Sequence, residues 1–217
     1  MKTKALLTLI VLAIFASTSG IAQTYNDLDE RTQKLIAIRA QEEVGQFTQY
    51  LQDIANKQLP ISDRYKYKDI ALTLFVGNGK DYYEDILDLE GNTIDKIRKP
   101  AVTMEVTSLR RNTKTKRQMA KYLQGLADIK YRQVTIQTTE WHDMRVSEIR
   151  KTGDGKYECV VYFEQIFISK GADNRPGYID RTKKRVTCYI DLVRTDDGLE
   201  ILVQLGDVEA TETTHVK

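Results

Sequence analysis

The sequence predicts an α+β fold, with N-terminal helices packed on one face of a curved, mainly antiparallel sheet. Three observations predict it: an apolar stripe at helical spacing in the first third of the chain, a shorter helical stripe near residue 120, and alternating apolar and polar residues over most of the chain after Tyr131. The chain has 217 residues with only three Pro, no internal repeat and no Pro-rich linker. It therefore reads as one domain, 23–217, with a frayed tail from about 210.

The elements follow in order. Lys2 and Lys4 precede an apolar run from Ala5 to Ala16, and Gly20-Ile21-Ala22 ends the segment with small residues. Charged start, apolar middle and small-residue cut site are the parts of a secretory signal peptide, predicted to be residues 1–22. Twelve apolar residues fall short of the ~20 needed to span a bilayer, so no transmembrane anchor is expected after cleavage. From Asn26 to Lys57, Ile36, Ala40, Val44, Phe47, Leu51 and Ile54 recur at steps of three and four, one face of a helix. Gly45 bends that helix or admits a close neighbour. A second helix is expected from Ser62 or Asp63 through Phe75, followed by an irregular acidic stretch from Asp81 to Glu90.

Val102, Met104 and Val106 alternate with polar residues and predict a half-buried strand. The capping box Thr115-Lys116-Arg117-Gln118 predicts the start of a third helix carrying Met119, Leu123 and Leu126. Beyond it, strands are expected at 131–140, 141–151, 156–169, 183–194 and 199–209, with turns at Gly153-Asp154-Gly155 and Asp196-Asp197-Gly198.

This order of helices and strands resembles the nuclear transport factor 2-like cone fold, in which helices close one side of a bent sheet and leave a pocket at its wide mouth. The resemblance implies a fold, not a reaction: such folds serve isomerases, dehydratases, cyclases, transport factors and binding domains.

Charge narrows the partners. Removing residues 1–22 takes away two lysines and no acid, so the 33 Lys and Arg fall to 31 against 31 Asp and Glu. A neutral chain lacks the basic excess that phosphate neutralisation demands, so no nucleic-acid partner is expected.

Candidate chemistry is sparse. Of two histidines, His215 lies at the terminus, leaving His142 as the one imidazole placed to act as a base. On a strand, Asp143 would point to the opposite face from it. No zinc-ligand spacing occurs, and the acidic residues from Asp81 to Glu90 do not match a calcium loop, so neither metal nor cofactor is expected. Cys159 and Cys188 share parity with core positions of two strands. A disulfide closing about thirty residues would stabilise by roughly 3 to 4 kcal/mol. A hairpin centred near Asn174 is expected to leave the two cysteines out of line, and both states stay open.

Arg110, Arg111, Lys114, Lys116, Arg117 and Lys121 form a basic run without an acid. With Lys116 and Arg117 in the first turn of a helix, the dipole would disfavour them, and an anion bound there would relieve the conflict. Arg175 and Tyr178, in the connection 170–178, are candidate partner-binding residues. The leading expectation is an exported, non-enzymatic domain, periplasmic or secreted, binding a protein or a small envelope component. The alternatives are a cone-fold enzyme using His142 for proton transfer, and a structural subunit of an envelope or extracellular assembly.

Overall fold

A computed structural model describes residues 27–215 apart from 89, 109–112, 154, 171–175 and 197. The predicted signal peptide lies outside the described residues.

Helix α1 (Glu30–Ala55) forms where the apolar stripe predicts it, and Asp29 caps it by accepting from the Thr32 N–H at 2.6 Å. All six stripe residues are fully buried. Helix α2 (Ile61–Thr73) follows Pro60, whose fixed φ suits the residue before a first turn. A short 3-10 turn at Val76–Gly79 leads into the hairpin β1 (Tyr82–Leu87) and β2 (Thr93–Lys99). The acidic stretch expected to be irregular is thus an antiparallel ribbon. Its carboxylates pair across the hairpin: Asp85 with Lys96 at 3.2 Å, Glu84 with Lys99 at 2.9 Å, Asp81 with Arg98 at 2.5 Å. Neither face of the ribbon is buried, so it carries no apolar alternation to read.

Strands β3 (Thr103–Ser108) and β4 (Thr113–Gln118) are antiparallel, and helix α3 (Met119–Ala127) begins only after β4. The expected capping box does not form. Lys116 and Arg117 lie in a strand because β4 pairs with β3 from Thr103↔Gln118 to Ser108↔Thr113, and its lysines meet acids of neighbouring strands. Strand β5 (Gln133–Thr138) is followed by a 3-10 turn, Trp141–Asp143, and two short pieces, β6 (Arg145–Val146) and β7 (Arg150–Lys151). The single strand expected at 141–151 is therefore broken. Long strands β8 (Tyr157–Lys170), β9 (Pro176–Thr195) and β10 (Gly198–His215) complete the fold. β10 holds its ladder with β9 to His215↔Asp180, which corrects the frayed tail.

The main sheet runs β4-β3-β10-β9-β8-β5, with β6 and β7 also on β8. Among the described strands only β3 and β10 are parallel neighbours. The helices pack on its inner face, where Phe47 of α1 meets Phe75 edge-on with ring centroids 5.0 Å apart. Among the described residues no helix is long and apolar enough to cross a membrane.

Gly45 admits a close neighbour. A Cβ built there would lie 2.6 Å from Trp141 Cβ, so the turn holding the chain's single tryptophan rests directly on the α1 backbone. Gly45→Ala should force that turn off the helix at a cost of about 1 to 2 kcal/mol. The measurement is denaturant unfolding followed by Trp141 fluorescence. A shifted native emission and a lower midpoint are expected, and an unchanged spectrum and midpoint would refute the contact.

Candidate functional site

Only part of the concave side of the sheet is filled by apolar residues. On β9 the inward positions are Asp180, Thr182, Lys184, Val186, Cys188 and Ile190, all buried, so the strand changes from apolar to polar halfway along one face. On β8 the inward residues opposite the polar half are Phe163, Gln165 and Phe167, paired in register with Lys184, Thr182 and Asp180. Helix α3 stands over this half and presents Tyr122, Gly125 and Leu126. Between the two lies a cavity of about 340 Å³, within the range of small-molecule pockets.

Lys184 is 4 % exposed. Its ammonium donates to the Glu105 carbonyl at 3.0 Å and to Met104 Sδ at 3.2 Å, and among the described residues no carboxylate pairs with it. Burial pushes its pKa down to about 8, opposed by the Glu105 charge. Tyr122 is pushed up to about 12, chiefly by burial, and hydrogen-bonds Gln165. Gln165 is 6 % exposed, and its Oε1 has no hydrogen-bond partner. Thr182 bonds Thr213 at 3.2 Å, which bonds Thr107 at 2.5 Å across the cavity edge.

The basic cluster divides in two. Lys114 pairs with Glu105 at 2.7 Å and Lys116 with Asp207 at 2.9 Å. Both acids also serve the backbone where β10 shifts register: Glu105 accepts from the Ala210 N–H, Asp207 from the Thr103 N–H and hydroxyl. These two lysines are thus committed to joining β3, β4 and β10. Arg117 extends from the opposite face of β4 and lines the cavity. Because Lys116 and Arg117 sit in a strand, no helix dipole acts against them as cations of a first turn. Arg110, Arg111 and Arg175 lie outside the described residues, as do the side chains of Tyr178 and His215.

His142 is not in the cavity. It occupies the 3-10 turn with its side chain 59 % exposed. That turn, rather than a strand, brings Asp143 within 3.7 Å of its Nε2, contrary to the alternation expected. An exposed ring that does not line the pocket does not meet the requirement of the proton-transfer reading. Among the described residues no group of His, Cys, Asp and Glu is placed to hold a metal ion.

Cys159 and Cys188 are register partners across β8 and β9, which corrects the expected offset: 159 and 188 are symmetric about the hairpin centre. Both thiols are free and buried. The Cys188 thiol is pushed well up by its hydrogen bond with Cys159 and by burial. A thiol of this kind is inert. Ellman's reagent should therefore titrate neither cysteine in the native protein and both after unfolding, whereas rapid native labelling would contradict the packing.

The cavity residues Tyr122, Gln165, Asp180, Thr182 and Lys184 were not singled out from the sequence. The signal was present: the parity that makes Cys188, Val186 and Ile190 core-facing passes through Lys184, Thr182 and Asp180 once the strand is extended toward Pro176. Likewise Gln165 interrupts the apolar parity of Cys159, Val161, Phe163 and Phe167.

No family model matches the chain, and no curated protein matches it. Among solved structures, a protein named as a putative scytalone dehydratase from Novosphingobium aromaticivorans is similar at 12% identity, over 86% of this chain and 92% of that one, with a TM-score of 0.36. A likeness at that level carries no argument about activity.

Proposed function

We propose that the chain is an exported, non-enzymatic α+β domain that binds a small envelope component in the cavity between α3 and the inner face of β8 and β9. One observation carries the reading: buried polar side chains, Lys184 and Gln165 foremost, line a space of about 340 Å³ beside the apolar core. A buried ammonium and an unpartnered amide oxygen are costly in an apolar interior. A ligand that meets them offsets that cost. Export is supported by the order of charged, apolar and small residues in 1–22. The structural-subunit alternative draws no support from the β4 edge, where Lys114, Lys116 and Arg117 are of the charged kind that deters strand addition.

Native mass spectrometry of the full chain expressed with its leader tests this. The expected result is a protein beginning at Gln23 in the extracytoplasmic fraction, carrying a small-molecule adduct. Gly125→Phe should lose the adduct, since Gly125 lies at the cavity and a Cβ there meets nothing within 4 Å. An unprocessed chain retained in the cytoplasm, or a bare protein in both variants, would overturn the reading.

A further inference from the structure

The charges around the cavity are arranged with a direction. Lys184 has three N–H donors. Two are used by Glu105 O and Met104 Sδ, so the ammonium keeps one donor; among the described residues no carboxylate bonds it, and the nearby Glu105 carboxylate is already paired with Lys114. Arg117 is the residue paired with Met104 across β3 and β4, so it approaches the same end of the cavity. Asp180 lies four residues from Lys184 on the same face of β9, ~13 Å along an extended strand, which leaves the Lys184 end positive. Between them, level with Thr182, the Gln165 Oε1 awaits a donor. The α3 side facing these groups is apolar, with Leu126 and Ile129, and Phe167 follows Gln165 on the same face of β8.

We infer that the cavity takes a hydroxylated carboxylic acid of medium chain length, its carboxylate held by Lys184 and Arg117, its hydroxyl donated to Gln165, and its hydrocarbon laid against Leu126, Ile129 and Phe167. The inference rests on the cavity being a ligand site at all. Size bounds the length: about 340 Å³ lies at the small end of the range of ligand pockets, which suits a medium chain and not a long one. Charge-assisted hydrogen bonds are the strong kind, so the carboxylate should dominate the affinity.

Isothermal titration with three probes decides it: 3-hydroxyoctanoate, octanoate and 1,3-octanediol. The hydroxy acid is expected to bind one to one, at least tenfold tighter than the diol and severalfold tighter than octanoate. Lys184→Met and Arg117→Gln should each abolish the preference for acid over diol while the diol still binds, which shows that the variants are folded. Gln165→Leu should abolish the preference for the hydroxy acid over octanoate. Diol and acid binding equally well would overturn the anion assignment while leaving the cavity a ligand site. Equal binding of octanoate and hydroxy acid would overturn the role of Gln165. Failure of all three probes while the parent protein still carries its native adduct would overturn this inference alone, and failure of the probes with a bare parent protein would overturn the reading it rests on as well.

Discussion

Arg64→Met should lower stability by about 3 to 4 kcal/mol, an effect out of proportion to a single residue of a helix with few buried side chains. Arg64 is 5 % exposed and lies in the first turns of α2. Its Nε donates to the Ile54 carbonyl at 2.8 Å and its Nη2 to the Ala127 carbonyl. Those carbonyls belong to the last turns of α1 and α3, where intrahelical donors run out and the dipole is negative. One guanidinium thus ties three helix ends together. Lys57 adds a second cation at the junction by donating to the Ile129 carbonyl, and the Asp128 charge lies close enough to favour both. Each charge-assisted bond is worth about 1.5 to 3 kcal/mol, and the substitution leaves two buried carbonyls unpaired. Thermal unfolding should show a loss of roughly 10 °C for a chain of this size. A loss under about 2 °C would mean that the junction is held by apolar packing instead.

Lys184→Met should have the opposite effect, and with a pH signature. The unfolded lysine titrates at 10.5, the folded one at about 8, so between these values the unfolded chain holds more protons. Where the unfolded state binds more protons, stability rises with pH. The ionised amine therefore penalises folding fully below pH 8, by about 3 kcal/mol, and the penalty fades toward pH 10.5. Methionine removes the charge at similar volume. The variant should be more stable than the parent at pH 7, and the gap should narrow by about 2 to 3 kcal/mol by pH 10. Tyr122 and Cys188, both raised, contribute with the opposite sign, but they are common to the two proteins and cancel in the difference. Denaturant unfolding at pH 7, 8, 9 and 10 without ligand measures it. Parallel stability curves would show that the amine is solvated and that its burial costs nothing.

What was legible in the sequence was whatever buries one face. The α1 stripe from Ile36 to Ile54 and the parities of Cys159 and Cys188 each mark one side of an element as core, and the structure puts them there. Where neither face is buried the pattern vanishes, as in the β1–β2 hairpin, where charge pairs and not apolar alternation join the strands. At β4 two local signals competed. Thr115 to Gln118 can cap a helix, but the same residues alternate so that Lys114 and Lys116 reach Glu105 and Asp207 on other strands. Asp207 lies 91 residues from Lys116, beyond the reach of any local reading, and Glu105 meets Lys114 only once β3 and β4 have paired as a hairpin. The cavity stayed hidden for a related reason. Asp180, Thr182 and Lys184 look like the solvent face of a strand until its inward parity is fixed by Val186, Cys188 and Ile190. A polar half-strand on the core side is then the mark of a pocket.

The cavity as a ligand site is tested most directly by a nitrogen-15 amide-shift map of the protein titrated with 3-hydroxyoctanoate. Saturable shifts gathered at Tyr122, Gly125, Gln165, Thr182 and Lys184, and absent from the same map of Gly125→Phe, are the expected result. Shifts gathered instead on the exposed hairpin Tyr82–Lys99 or on the outer residues Tyr189, Leu199 and Leu202, with the inner face of β9 unmoved, would contradict it.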